Sequence, residues 1–570
     1  VYGEELNNIE WFNKEGVILD RALIQRSGRA QWKFLADYIQ NTLTDEVIDE
    51  AFQNIPREVR NESLAEIIEK LKARRNNLVN IAEEYYNYLA TLQTVTGTDR
   101  KDVIEITRFP DGNTKVVVSR PQVEGSKVIL ERTFKSTDTK EIWIYALDGQ
   151  DQIIVQGDPG KSSIFLRIVG GQENDTYSIK SGTNVKVYDY QSKPDTILEK
   201  NGGTVRFTDI YDLNTYDYRK QIRKESVPAA AIGYNPDQGT RIGLQYVIRR
   251  DGFQRNPFSQ RHQFSGAYFT DIENYELSYN GEFANVQDDR NINFGVRITN
   301  PAFQVNYFGY GNETMNLENI DGFGYEANRV EIQNISGHVA LLRNSNFGSF
   351  FKVQTKFDAY TINSNFVPNI NAESQQQLRE TNYFATIEGI YQYRSYDDAR
   401  NPSRGMMFDL NTGLTDNLKD MSRLFGFLRT RLGFYNALTA DDKWVLKTNV
   451  EAAFNFDNKF EFYQGIQLGA NTGLRGYRMD RFTGKSSLVG SADLRYSFNE
   501  FSLGLIPIQI GIYAGADLGR VWIPSATSDK WHNDYGGGLW IHGSGGLNAN
   551  ASLFRSVEGT RAEFGVGFSF

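Results

Sequence analysis

"RAEFGVGFSF", residues 561–570, closes the chain and decides how the rest of it is read. On an extended backbone Phe564, Val566, Phe568 and Phe570 fall on one side, and Glu563, Gly565, Gly567 and Ser569 on the other. A half-buried strand of a soluble sandwich alternates in the same way, but it does not usually end a chain on an exposed aromatic. In a transmembrane barrel the alternation has a direct cause: one face meets lipid and the other a polar lumen.

Composition agrees with that reading. The chain has 570 residues, more than one ordinary domain holds, with 31 Tyr, 37 Phe and no Cys. Many aromatics stand beside a clearly polar mean hydropathy, as strands that alternate lipid-facing and lumen-facing residues require. No apolar run reaches the ~18 residues of a transmembrane helix. A formal net charge of -9 argues against a nucleic-acid partner, which calls for a basic stripe. Without cysteine there are no disulfides or thiolate metal sites, and His262, His338, His532 and His542 are too scattered to ligate together. The chain begins at Val1 with no charged-then-apolar leader, which suggests a mature form or a fragment.

Moving back along the chain, periodicity changes twice. Residues 1–97 read as helical: "TDEVIDEAFQNIP" has Thr44 as its cap and Pro56 as its stop, and Leu64, Ile67, Ile68, Leu71, Leu78, Ala82, Tyr85 and Leu89 share one face of a longer helix. The cluster Lys70 to Arg75 reads as a solvated helix face, with contact to anionic lipid heads as the alternative. Residues 98–205 switch to period two, starting with a hairpin around Pro110-Asp111-Gly112, and read as a small soluble β-domain. Residues 206–224 read as a polar, Tyr-rich linker, and 225–570 as consecutive strands of about 10 residues each, long enough to cross an outer membrane when tilted. A first count of these gives seventeen. A chain that starts and finishes on the periplasmic side needs an even number, and the weakest boundary is "TNPAFQ" at 299–304. Merging the segments on either side into one long bent strand predicts a 16-stranded antiparallel transmembrane β-barrel, in a mainly β chain. Eight strands run up to "YQYRS", three more up to "EAAFNF", and five follow.

Between strands eleven and twelve lies "NTGLRGYRMDRFTG", residues 471–484, which the parity places outside the cell. A long external loop can fold inward and plug a wide polar lumen. An arginine reaching a wall carboxylate is the strongest anchor available to it. In the strands that follow, Asp493 and Asp517 face inward, and Gly515 and Gly519 leave room beside the latter. The spacing therefore predicts that Arg475 pairs with these aspartates, that Gly476 lets the backbone turn tightly, and that Tyr477 packs on the wall. A solvent-exposed loop arginine and two ordinary lumen aspartates are the alternative.

Other chemistry is scarce. "GDPGKSS" at 157–163 has the wrong glycine spacing for a phosphate loop and is followed by a strand. "GGQENDTYS" at 170–178 resembles one turn of a calcium-binding nonapeptide repeat, and "LDGQDQI" a degenerate second copy. Asp175, Asp148 and Asp151 are thus candidate calcium ligands, against the simpler reading of an Asx-turn closing a strand. No cofactor is otherwise indicated. GxSxG and HExxH are missing, and nothing pairs carboxylates in sequence, so an enzyme is not expected.

Four motifs in order resemble the BamA/TamA-type outer-membrane assembly and translocation superfamily, or bacterial surface antigen barrel. They are "LRGY" (Leu474 to Tyr477), "ADLGRVW" (516–522), the turn "DDARNPSRG" (397–405), and the terminal "EFGVGFSF". The resemblance implies a sixteen-stranded barrel whose sixth external loop carries the arginine and whose strand aspartate meets it. It also implies a C-terminal β-signal comprising Glu563, Gly565, Phe568 and Phe570. Insertion of outer-membrane proteins, or translocation of polypeptides or lipoproteins through a lateral seam, is the implied function. Membrane lipid, assembly or export proteins and unfolded or exported polypeptides are the implied partners. Residues 1–205 are expected in the periplasm; they show no βααββ repeat of the POTRA type and are more similar to the region before the barrel in Bacteroidetes-type proteins. A passive channel is the competing expectation, as is a membrane anchor forming the C-terminal part of a phosphoesterase–barrel fusion.

Overall fold

The computed structural model describes the chain apart from residues 1–2, 57, 59, 61, 221–223, 254–257, 288–289, 321–323, 346, 365–366, 368–369, 371–378, 504–505, 544–545 and 569–570. It divides into two compact units: residues 1–222 with 251–256, and residues 223–250 with 257–570.

The first unit opens with helices. Thr44 Oγ1 accepts from the Val47 amide and caps Asp45–Gln53, satisfying a donor that the first turn leaves free. The long helix expected from the Leu64–Leu89 face is two helices, Glu62–Asn76 and Leu78–Ala90, broken at Asn77. Tyr85, Tyr86, Leu89 and Ala90 of the second helix bury against Ile9, Val17 and Ile24.

The β part of this unit is a two-sheet solenoid. Its strands are β1 (Leu92–Thr96), β2 (Val103–Arg108), β3 (Thr114–Pro121), β4 (Ser126–Phe134), β5 (Glu141–Leu147), β6 (Gln152–Gly157), β7 (Phe165–Gly171), β8 (Thr176–Ile179), β9 (Val185–Asp189), β10 (Thr196–Glu199) and β11 (Thr204–Phe207). One sheet runs β1-β5-β7-β9-β11 and the other β10-β8-β6-β2-β3-β4. Successive strands alternate between the sheets, so like strands stack in parallel; β2, β3 and β4 pair antiparallel as a side excursion. Ile104, Ile106, Val116, Ile142, Ile144, Ile153, Val155, Leu166 and Ile168 fill the space between the sheets. Their β-branched side chains suit a pleated surface buried on that side. Pro110-Asp111-Gly112 closes the β2–β3 hairpin, with Gly112 at φ +85° and the Asn113 amide donating to Asp111.

The second unit is a closed antiparallel barrel of sixteen strands. The first is Lys224–Asn235, the second Gly239–Arg250 and the last Gly559–Phe568. Eight strands run to Tyr396, three more to Asn455, and five follow. The merged strand is interrupted. Its first part is Arg290–Thr299, and Gln304–Asn306 resumes on the same partner, Arg329–Asn344. The chain then leaves the wall, and Tyr307 and Phe308 are buried. One edge is used throughout, so the interruption leaves the parity intact. Outward positions such as Leu244, Val339, Phe357, Ile387, Leu414 and Leu553 are exposed apolar side chains, the belt a lipid-facing surface requires. Lumen-facing Lys356, Asp358, Glu388, Arg429, Arg431 and Glu451 line a cavity of about 710 Å³.

Candidate functional site: a loop anchored inside the barrel

The loop after strand eleven folds back on the inner wall. A short hairpin pairs Ile466–Leu468 with Phe482–Gly484, and Gly473 at φ +99° reverses the chain within it. Leu474, Tyr477 and Phe482 are buried with Leu468, Val489 and Val521. This apolar contact fixes the loop tip, so the intervening Arg475 is directed at the wall. Its Nε donates to Asp517 Oδ2 at 2.8 Å, and its Nη2 to Asp517 Oδ1 and Asp493 Oδ1, each at 2.7 Å. The Arg475 backbone N–H adds a bond of 3.2 Å to Asp517. The guanidinium also lies 4.0 Å from the centre of the Phe554 ring. A bidentate fork, one carboxylate bridged to a second, and an aromatic face are the groups that a planar delocalised cation can satisfy together and an ammonium cannot. Lys447 Nζ, 3.6 Å from Asp493, partly balances the second carboxylate.

Two glycines permit this approach. A Cβ on Gly515 would meet Arg475 Nη2 at 2.9 Å as well as the Asp493 carboxylate, and one on Gly476 would lie 2.6 Å from Asp534 Cβ. Tyr477 Oη donates to the Asn533 carbonyl at 3.3 Å, and Ser556 Oγ donates to the Gly476 carbonyl at 2.7 Å.

Sequence reasoning missed two further arginines on the same loop. Arg478 Nε donates to Asp237 Oδ1 at 2.9 Å, and the Met479 amide donates to Asp237 Oδ2 at 2.9 Å. Arg561, on the last strand, donates to the same Asp237 Oδ2. Asp237 sits in the turn between the first two strands, and Tyr325 and Asn306 also donate to it at 2.9 Å each. One buried carboxylate therefore ties the first hairpin, the last strand and the loop. Arg481 grips Glu558, in the turn before the last strand, through Nε at 2.9 and 3.0 Å.

The same region contains the shortest ladder between full barrel strands among the described residues. Among the described residues the last strand pairs with the first at three positions: Ile232 with Val566, Gly233 with Gly565, and Tyr234 with Phe564. The first and second strands pair at twelve, Lys224 with Arg250 through Asn235 with Gly239. From Lys224 to Ala231 no ladder partner on the last strand is recorded among the described residues. Pro228 lies in this stretch and has no N–H to donate, which confines it to an edge.

Of the C-terminal motif, Gly565 pairs with Gly233 on one side and Asn550 on the other. Glu563 points inward between outward Ala562 and Phe564, and Phe568 ends the strand. Phe570 lies outside the described residues. In the turn "DDARNPSRG", Asp397 accepts from the amides of Ser403 and Arg404 at 2.9 and 3.1 Å.

The candidate calcium ligands lie in the solenoid, and the structure groups them differently. Asp148 is exposed and accepts from its neighbour Gly149, outside any cluster. Asp102, Asp151, Asp175 and Asp195 each precede a strand of the second sheet and form a ladder. The Asp102 N–H donates to Asp151 at 2.6 Å, that of Asp151 to Asp175 at 2.8 Å, and that of Asp175 to Asp195 at 2.8 Å. Asp175 gathers with Asp189 and Asp195, with one carboxylate oxygen of each within 4.8 Å of the others. Burial, reinforced by neighbouring carboxylates, pushes Asp151 up to about 7, Asp175 to about 8 and Asp189 to about 7.

A closed sixteen-strand barrel with an apolar outer belt, a polar lumen and a loop tethered inside it defines an outer-membrane β-barrel protein. The chain belongs to the Omp85 superfamily: the model of the Omp85 superfamily domain matches residues 234–569. Among solved structures it is similar to BamA from Haemophilus ducreyi lacking POTRA domains 1-3, at 12% identity and TM-score 0.45, over 61% of this chain and 71% of that one. It is also similar to CdiB from Acinetobacter baumannii (12%, TM-score 0.39, 60% of each chain). CdiB from Escherichia coli is a third (12%, TM-score 0.41, 63% of this chain and 69% of that one). No protein of curated function matches the sequence.

Proposed function

We propose that this barrel inserts outer-membrane proteins, or moves polypeptides or lipoproteins across the membrane, by opening its seam. The observation that carries the reading is the three-position ladder between first and last strands. A ladder that short costs little to open, and an open strand edge is a template on which an incoming strand can pair through its main chain. The stretch from Lys224 to Ala231, which among the described residues shows no ladder pairing to the last strand, offers such an edge. The arginine-held loop keeps the wall in shape while the seam moves, and the Asp237 cluster limits movement at the turn end. Membrane lipid, outer-membrane assembly or export proteins and an unfolded or exported polypeptide are the partners this mechanism needs. Residues 1–205 meet the client on the periplasmic side, and no residue is given a catalytic role.

Locking the seam tests this. The chain has no cysteine, so Ile232→Cys with Val566→Cys introduces one defined pair. Directly opposed antiparallel residues lie about 4.5–5.5 Å apart at Cα, within disulfide reach. Oxidation should abolish insertion of client barrels into vesicles, and reduction should restore it. Full activity with the bond formed would leave the passive channel or anchor as the reading, and steady bilayer conductance would then support the channel.

A further inference from the structure

The solenoid's aspartate ladder is balanced at one end only. At the first rung, Asp102 accepts from the Thr98 amide and hydroxyl at 2.7 Å each, and Arg120 Nε stands 3.5 Å away. At the other end, Asp175, Asp189 and Asp195 converge, and among the described residues none of them forms an ion pair. Asp175 is 1% exposed and Asp189 fully buried. Asp175 Oδ1 takes the Asp151 amide, but its Oδ2 is buried with no hydrogen-bond partner, as is Asp195 Oδ2. Asp189 Oδ1 takes the Tyr190 amide at 2.8 Å, and its Oδ2 accepts from Tyr177 Oη at 2.5 Å. Asp175 Oδ2, Asp189 Oδ2 and Tyr177 Oη converge closely over Gly170, where a methyl group would collide with all three.

We infer that the cluster formed by Asp175, Asp189 and Asp195 is a calcium site. The donors are all oxygen, which selects a hard cation over zinc or copper. Oxygens up to 4.8 Å apart fit opposite sides of an ion with bonds of about 2.3–2.6 Å. Asp175 and Asp189 are sealed from solvent, which disfavours the water shell that magnesium retains. Asp195 is only partly buried and gives the ion its way in. The site rests on residues of the first unit alone, so it stands or falls independently of the seam.

The test uses the full chain in detergent micelles, with terbium chloride as probe and Tyr177 as sensitiser. Tyrosine-sensitised terbium emission should appear, be displaced by calcium chloride and persist in magnesium chloride. Asp175→Asn and Asp189→Asn should each lose it, while Asp148→Asn should keep it. Should the two ligand variants fail to fold, hydrogen exchange on the unaltered chain serves instead: calcium should slow exchange within residues 164–199. Emission that survives both ligand substitutions, or exchange there that ignores calcium, would overturn the site.

Discussion

Replacing Arg475 by alanine tests the loop anchor most directly. The substitution removes two charge-assisted bonds to Asp517 and one to Asp493, and leaves Asp517, whose side chain is fully buried, with the 3.2 Å backbone N–H. Breaking a buried pair by deleting one partner costs about 3–5 kcal/mol, mostly from the charge left behind. Lys447 still stands near Asp493, so the lower end, about 3 kcal/mol, is expected, or a roughly hundredfold change in the folding equilibrium. Arg475→Lys keeps the charge but cannot bridge both carboxylates, and should lose about half as much. Adding Asp517→Asn to Arg475→Ala should recover part of the loss, because the uncompensated charge is gone. The assay is urea-dependent unfolding in lipid vesicles, followed by heat-modifiable gel migration, with hydrogen exchange over residues 469–484 reporting on the loop. An Arg475→Ala barrel with the unaltered midpoint and unaltered loop exchange would refute the argument.

Asp237→Asn takes from buried Arg561 its ion-pair partner and leaves Arg478 with Glu318 at 3.5 Å, and should cost about 3–5 kcal/mol, with faster exchange in both seam strands rather than in the loop alone. Gly476→Ala puts a methyl 2.6 Å from Asp534 Cβ and 3.1 Å from the Arg555 carbonyl carbon, so overpacking of about 1–3 kcal/mol should appear in the same unfolding assay. Leu166→Ala, at a fully buried solenoid position, should lower the stability of the first unit by about 2–5 kcal/mol, read by hydrogen exchange across β5 to β9. Thr44→Ala should cost that unit's helix Asp45–Gln53 about 1 kcal/mol, detectable as faster exchange of its first amides.

The barrel was legible because its physics repeats: each strand has one lipid face and one lumen face, and the parity rule corrected the count at 299–304. Arg475 was legible because its partners, 18 and 42 residues on, lie on strands that could be phased from their own alternation. Arg478 was not, because Asp237 lies 241 residues away in a turn with no alternation to phase it. The solenoid was hidden for a related reason. Its rungs are separated by 49, 24 and 20 residues, since β3 and β4 are inserted into the first coil, and unequal spacing conceals a repeat. Short strands of stacked parallel sheets read locally like those of any small β-domain; only the aspartate before each coil's second strand gave a signal. The helix break at Asn77 left no mark either, because the apolar face continues in phase across it.

Ala229, Ala230 and Ala231 lie on the first strand where, among the described residues, no ladder pairing to the last strand is found. On the proposed reading, methyl groups would give a visiting chain almost no side-chain relief to fit against, and it would be felt through its peptide bonds. On that reading such a ledge would be indifferent to the sequence of its guest, and any choosiness would fall to Arg241, one strand away, and Glu276, three strands away.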